Sequence, residues 1–151
     1  MLHQITENPF INYPELLDIW PHRKNELLRD IKDCLDNPNL EKMFFIMNNN
    51  RPIGITGFYQ YDENVGLNWH GILKEYRKSG FGLAALNELI PLAIQHYPNA
   101  RYLIEELPAN REEEELKSFF LKAGFQRTNN LVDKPWITSE TDWIEYRLLL
   151  N

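Results

Sequence analysis

The chain has 151 residues, 43% hydrophobic and 13% aromatic, which suffices for one well-buried core but not for two full-sized domains, so a single domain over 1–151 is expected. Its formal charge of −6 argues against broad nucleic-acid binding, which needs a basic face to displace counterions, and suits a cationic partner better. No run approaches the roughly 20 apolar residues of a membrane span, Met1-Leu2-His3-Gln4 does not begin a signal peptide, and the lone Cys34 with four scattered histidines suggests neither disulfide nor metal, so a cytoplasmic protein is expected.

A short first strand is expected around Gln4–Glu7. From Pro14 the pattern turns helical: Leu16, Leu17 and Trp20 cluster, Pro21 interrupts, and Leu27, Leu28, Ile31 and Leu35 recur at helical spacing until Asn37-Pro38. Two short helices separated at Pro21 fit this. Cys34 lies beside the apolar stripe with no neighbouring base and reads as packing rather than a nucleophile. Met43–Met47 and Ile53–Tyr59 form a hairpin across Asn48–Pro52, and Val65–Leu73 supplies a third antiparallel strand after the turn at Asp62–Asn64.

Gly80–Tyr97 carries Leu83, Leu86, Leu89, Ile90 and Ala93 on one stripe, a helix to be packed on the sheet, with Pro91 predicting a kink or an early break. Arg101–Leu107 is a buried strand whose end turns acidic, closed by Pro108-Ala109-Asn110. The helix Arg111–Lys122 turns Leu116, Phe119, Phe120 and Ala123 inward and ends at Ala123-Gly124-Phe125 through a glycine cap. Glu112–Glu115 reads as a solvated face favoured by the helix dipole. Strands near Gln126–Asn130 and over Trp143–Leu150 complete an α/β chain.

The stretch from Ile72 to Leu86 carries the chemistry. It runs from a strand end through a basic, glycine-punctuated turn into a helix. Gly80 and Gly82 admit close backbone approach, the helix start presents unpaired N–H groups, and Arg77 and Lys78 add charge, so a phosphate-bearing cofactor is the natural occupant. A nucleotide P-loop is excluded, because Gly82 is followed by Leu83-Ala84 instead of lysine and a hydroxyl residue. Gly80-x-Gly82-x-x-Ala85 satisfies a dinucleotide fingerprint, with Glu105 and Glu106 at a later strand end. Its context is wrong: the polar segment Lys74–Ser79 separates strand from glycine, and hairpins precede it where a βαβ unit should be.

Arg77-x-x-Gly80-x-Gly82 between strand and helix resembles the acyl-CoA-binding signature of the GCN5-related N-acetyltransferase (GNAT) superfamily, and the element order resembles that superfamily along essentially the whole chain. The resemblance implies a mixed, mostly antiparallel sheet flanked by helices and splayed between its fourth and fifth strands. It implies acetyl-CoA (coenzyme A) as cofactor, its pyrophosphate held by the backbone of Arg77, Lys78, Ser79, Gly80, Phe81, Gly82 and Leu83, with the pantetheine arm against His70 and Ile72 in the splay. The side chain of His70 is expected to pack rather than carry protons. Tyr102–Asn110 looks like the corresponding strand of bacterial ribosomal-protein alanine acetyltransferases, which implies Glu105 as the base that deprotonates the amine and Asn110 as a cofactor contact. Glu105 neutralising or binding the amine is the competing reading, and alternation turns Glu106 to the other face. Phe120 stands on the cofactor side where relatives carry a tyrosine that protonates the departing thiolate, leaving Tyr102, Tyr146 or water for that task. The implied reaction is direct attack by a primary amine in a ternary complex; a non-catalytic acyl-CoA-binding module is the alternative. A small amine, polyamine, lysine side chain or protein N-terminus would serve as acceptor, and homodimerisation is compatible with such a domain.

Overall fold

The computed structural model describes residues 1–134 and 141–150. Eight strands form one sheet in the order β1-β2-β3-β4-β6-β8-β7, with β5 pairing β3 off that path. The strands are β1 (Leu2–Gln4), β2 (Glu41–Asn48), β3 (Arg51–Tyr61), β4 (Asn64–Leu67), β5 (Gly71–Ile72), β6 (Tyr102–Pro108), β7 (Gln126–Leu131) and β8 (Trp143–Leu149). A 3-10 helix at Pro14–Ile19 precedes α1 (Lys24–Asp36), and α2 (Phe81–His96) and α3 (Arg111–Lys122) follow in the second half. Among the described residues no helix is long and apolar enough to cross a membrane.

Strand alternation splits the core into two layers. Phe58, Val65, Leu103 and Tyr146 point to one face and pack with Leu86 and Leu89 of α2 and Phe120 of α3. Met43 and Ile55 point to the other face, where Leu16, Leu27, Ile31 and Cys34 cover them. Cys34 is thus a packing residue, 4% exposed.

Every strand pair is antiparallel except β4 and β6, which are parallel and joined only at Val65↔Leu103 and Gly66↔Ile104. Beyond those pairs β5 stays with β3 while β6 runs on beside β8 as far as Pro108. This is the expected splay, and it opens the sheet into a cleft.

Several local expectations are corrected. The first strand lies at Leu2–Gln4 rather than Gln4–Glu7, because Ile5 turns inward to donate its N–H to the Met43 carbonyl. The strand expected over Val65–Leu73 is two strands, since Trp69 takes φ +50 and the ladder is interrupted at 68–70. The interruption gains a buried indole on the α1 side, whose Nε1–H donates to Asp30 at 2.8 Å. Pro91 does not break α2: its missing donor leaves the carbonyl of Asn87 on an exposed side, where water can serve it. In α3, Leu116 is exposed and Glu113 is buried, reversing both expectations. Glu113 Oε2 accepts from Arg127 at 2.8 Å and from the Tyr146 hydroxyl at 2.6 Å, so it fastens α3 to the last two strands.

Candidate active site

The cleft left by the splay has a volume of about 1670 Å³, larger than a typical site for one small ligand. Its floor is the parting between β5 and β6, one end is the turn leading into α2, and the other end is walled by α1 and β2.

At the α2 end, the chain passes through Lys78 at φ +63 and Gly80 at φ +86 before entering the helix. A Cβ on Gly80 would meet nothing within 4 Å, so the glycine is demanded by the backbone angle rather than by crowding. Ala84 is the first helical amide with an internal acceptor, the Gly80 carbonyl at 3.0 Å. The N–H groups of Phe81, Gly82 and Leu83 therefore stand at the positive end of a 16-residue helix without intrahelical partners. Arg77 braces this turn by donating Nε–H to the Ile72 carbonyl at 2.9 Å. Lys78, Gly80, Phe81, Gly82 and Leu83 all line the cleft, as do Arg77 and Ile72. Ser79 does not; its hydroxyl faces back to the Arg77 carbonyl.

His70 ties the start of α2 to β3 as a strut. Its Nε2–H donates to the Gly82 carbonyl at 2.9 Å, which makes Nδ1 the acceptor for the Thr56 hydroxyl at 2.8 Å. The ring stacks on Phe119, with centroids 5.7 Å apart and planes at 24°. Burial pushes its pKa down to about 4, so the imidazole is neutral and both nitrogens are committed. This supports packing, not proton transfer. Asn110 caps α3, its Oδ1 accepting from Glu112 N–H at 2.8 Å while the residue lines the cleft.

The middle of the cleft is carboxylate-rich. Glu105 Oε1 accepts from the backbone N–H of Glu106 at 2.8 Å. Its side chain keeps partial contact with solvent, yet surrounding protein pushes its pKa up to about 8, chiefly by burial, with the Glu106 amide opposing the rise. Glu106 points to the other face, as alternation requires. It still lines the cleft, because a sheet parted at β6 exposes both faces of that strand to one space. Burial also raises its pKa, against the hydrogen bond from Tyr61, and its Oε1 is buried with no hydrogen-bond partner among the described residues. The Tyr59 ring covers Gly66, where a Cβ would clash with it at 2.3 Å, and the phenol is held protonated by burial and by the charges of Glu106 and Glu105.

Of the tyrosines considered for thiolate protonation, neither lies on the cleft. Tyr146 is fully buried and bonded to Glu113, and the Tyr102 ring lies under the guanidinium groups of Arg101 and Arg147. Tyr59 and Tyr76 are the phenols that do line it among the described residues. Phe120 is core, 3% exposed, with its ring against Phe119, Phe125 and Tyr146 at the cleft's edge. The far wall was not anticipated: Trp20 and Trp69 meet edge to face at 5.0 Å, the Arg23 guanidinium lies 4.6 Å from the Trp69 ring centroid, and Asp30, Asp33 and Glu41 stand beside them. No local pattern signals this wall, since it joins residues from three separate parts of the chain.

A splayed sheet, an open helix N-terminus at one end of the gap and a desolvated carboxyl at its centre define a group-transfer site for a long, phosphate-bearing donor. The model of the acetyltransferase (GNAT) family matches residues 2–125, and the chain belongs to that family. Acetyl-CoA is accordingly its cosubstrate. No curated protein matches the chain in sequence. Among solved structures it is similar to a GNAT-family protein from Desulfovibrio desulfuricans at 16% identity and TM-score 0.81, covering 100% of this chain and 99% of that one. It is also similar to a spermidine N-acetyltransferase chimera built partly from Vibrio cholerae, at 15% identity and TM-score 0.72 over 99% and 94% of the two chains. A third similar structure, a GNAT acetyltransferase from Elizabethkingia anophelis with acetyl-CoA bound, has 17% identity and TM-score 0.69 over 99% and 97%.

Proposed function

We propose that residues 1–151 act as one cytoplasmic domain that transfers the acetyl group of acetyl-CoA to a primary amine by direct attack, with Glu105 as the base. The carrying observation is the alignment of three features along one cleft: the open amides of Phe81–Leu83, the unpaired parting beyond Gly66↔Ile104, and the Glu105 carboxyl midway.

These residues fit the donor. The N–H groups of Phe81, Gly82 and Leu83 hold its pyrophosphate, with Lys78 supplying charge and Gly80 the backbone angle. The parted edges near Ile72 and along Glu105–Pro108 offer backbone groups to an amide-bearing arm laid between them like an added strand. The Asn110 side-chain amide lies on the same path. When bound, the donor supplies an activated thioester carbonyl. Glu105 removes a proton from the incoming ammonium, and its raised proton affinity narrows the gap between carboxylate and amine that would otherwise make this transfer uphill. The strut His70 keeps the α2 turn in register with β3 and takes up no second ring proton near neutrality.

The test combines calorimetric coenzyme A binding with thiol release from acetyl-CoA across a panel of primary amines. Saturable binding with amine-dependent thiol release is expected. Binding with no turnover of any amine favours the non-catalytic module, and absence of binding removes the reading altogether.

A further inference from the structure

The wall opposite the α2 turn carries more negative charge than one reacting amine needs. Glu41 on β2 and Asp30 and Asp33 on α1 line the cleft together, and among the described residues no salt bridge reaches any of the three. Asp30 accepts from Trp69, and Arg29 and Arg23, which line the same cleft, offset part of its charge, Arg23 while paired with Glu26. Burial first, and then the charges of Asp30 and Asp33, push the Glu41 carboxyl up to about 7.

The sheet register fixes how far this pole lies from the chemistry. Glu41 pairs with Tyr59, Tyr59 with Gly66, and Gly66 with Ile104, all on the α1 face. Three ladder steps of about 4.8 Å place the Glu41 and Ile104 backbones roughly 14 Å apart, with Glu105 and Glu106 just beyond Ile104. Between the poles the α1 face presents the rings of Tyr59 and Trp69, with the Asn68 amide beside them donating to Met43 Sδ. At the near pole, Glu106 accepts from Tyr61 and lies in the field of Lys134, while its Oε1 is buried with no hydrogen-bond partner among the described residues.

From this arrangement we infer that the acceptor is a linear amine with cations at both ends of an alkyl spacer, its distal ammonium held by Glu41 and Asp33 while the reacting end lies at Glu105 and Glu106. Glu41 is then the residue that sets acceptor length and charge. The inference rests on the acetyl-transfer reading and adds the acceptor's class to it. An aliphatic spacer gains by covering the ring wall, and an ammonium at the far end relieves the repulsion among the three carboxylates.

The test is steady-state kinetics with unbranched alkyl monoamines and α,ω-diamines of increasing length, with coenzyme A affinity measured in parallel. The longer diamines should exceed length-matched monoamines by about tenfold or more in kcat/KM. Glu41→Gln should collapse that preference mainly through KM, and Asp33→Asn, on an exposed helix position, should do so to a lesser degree. Equal kcat/KM for monoamines and diamines, or a preference that survives both substitutions, overturns the distal site while leaving acetyl transfer standing. Coenzyme A binding without turnover of any amine overturns both readings.

Discussion

Replacing Glu105 with glutamine separates catalysis from stability. A positioned base contributes about 10²–10⁴-fold, so Glu105→Gln should lower kcat by about 10²-fold or more at about pH 8–9, where the carboxylate form is well populated, while coenzyme A affinity stays within about twofold. Stability should move the opposite way. The folded protein holds the Glu105 proton up to about pH 8, against 4.5 for an ordinary glutamate. Folding is therefore unhindered by this group below pH 4.5 and loses stability progressively as pH rises towards 8. At 1.36 kcal/mol per pH unit the interval sets a ceiling of roughly 5 kcal/mol, which partial solvent contact reduces; about 1–2 kcal/mol is expected. The glutamine variant lacks this penalty. Thermal unfolding across pH 4 to 9 should show the two proteins converging at acid pH and the variant more stable at pH 8. Full activity of Glu105→Gln across that range would refute the base assignment, and a lower melting temperature at pH 8 would refute the desolvated carboxyl.

Gly82→Glu should abolish coenzyme A binding measured by calorimetry, since a Cβ there meets only ordinary contacts with Phe119 and His70, so the fold tolerates it while a carboxylate lands beside the phosphate-binding amides. Tyr146→Phe should reduce unfolding free energy by about 1.5–3 kcal/mol, the worth of a hydrogen bond to a charged group, and leave coenzyme A affinity unchanged. Because the folded-state pKa of His70 is about 4 against 6.5 for a free histidine, its contribution is complete above pH 6.5 and is lost as pH falls towards 4, by at most about 3 kcal/mol. His70→Gln should flatten that acid limb in denaturant titrations, and the wild-type activity profile should show no limb from His70 between pH 5.5 and 8.

The order of elements and the grouping of residues at the α2 end of the cleft were legible because both are local. Arg77, Gly80 and Gly82 sit within one turn, and strand and helix periodicities are read over a few neighbouring residues. α3 is found at its predicted bounds for the same reason. What escaped depends on distant pairs. Glu113 looks like one of four solvated carboxylates until Arg127 and Tyr146 are folded against it. Trp69 reads as a strand residue, and only the presence of Asp30 on a helix 39 positions earlier makes its left-handed backbone worthwhile. The far wall of the cleft joins Trp20, Asp30, Glu41 and Tyr59, which share no periodicity or motif. Alternation separated Glu105 from Glu106 correctly but could not reveal that a parted sheet gives both strand faces one outlet.

Two residue pairs, Val65↔Leu103 and Gly66↔Ile104, are the whole ladder between the hairpin half of the sheet and the half made by β6, β8 and β7. So short a seam makes the two halves a hinged pair whose spacing is set partly by whatever lies in the opening. A ligand that bonds to both edges does the work of the missing ladder, so occupancy and rigidity rise together and the melting temperature should climb with donor concentration. The gap-facing amides of β6 should exchange with solvent freely in the ligand-free protein and slow on binding, while those bonded to β8 remain protected throughout. Substrate thus completes the architecture that holds it.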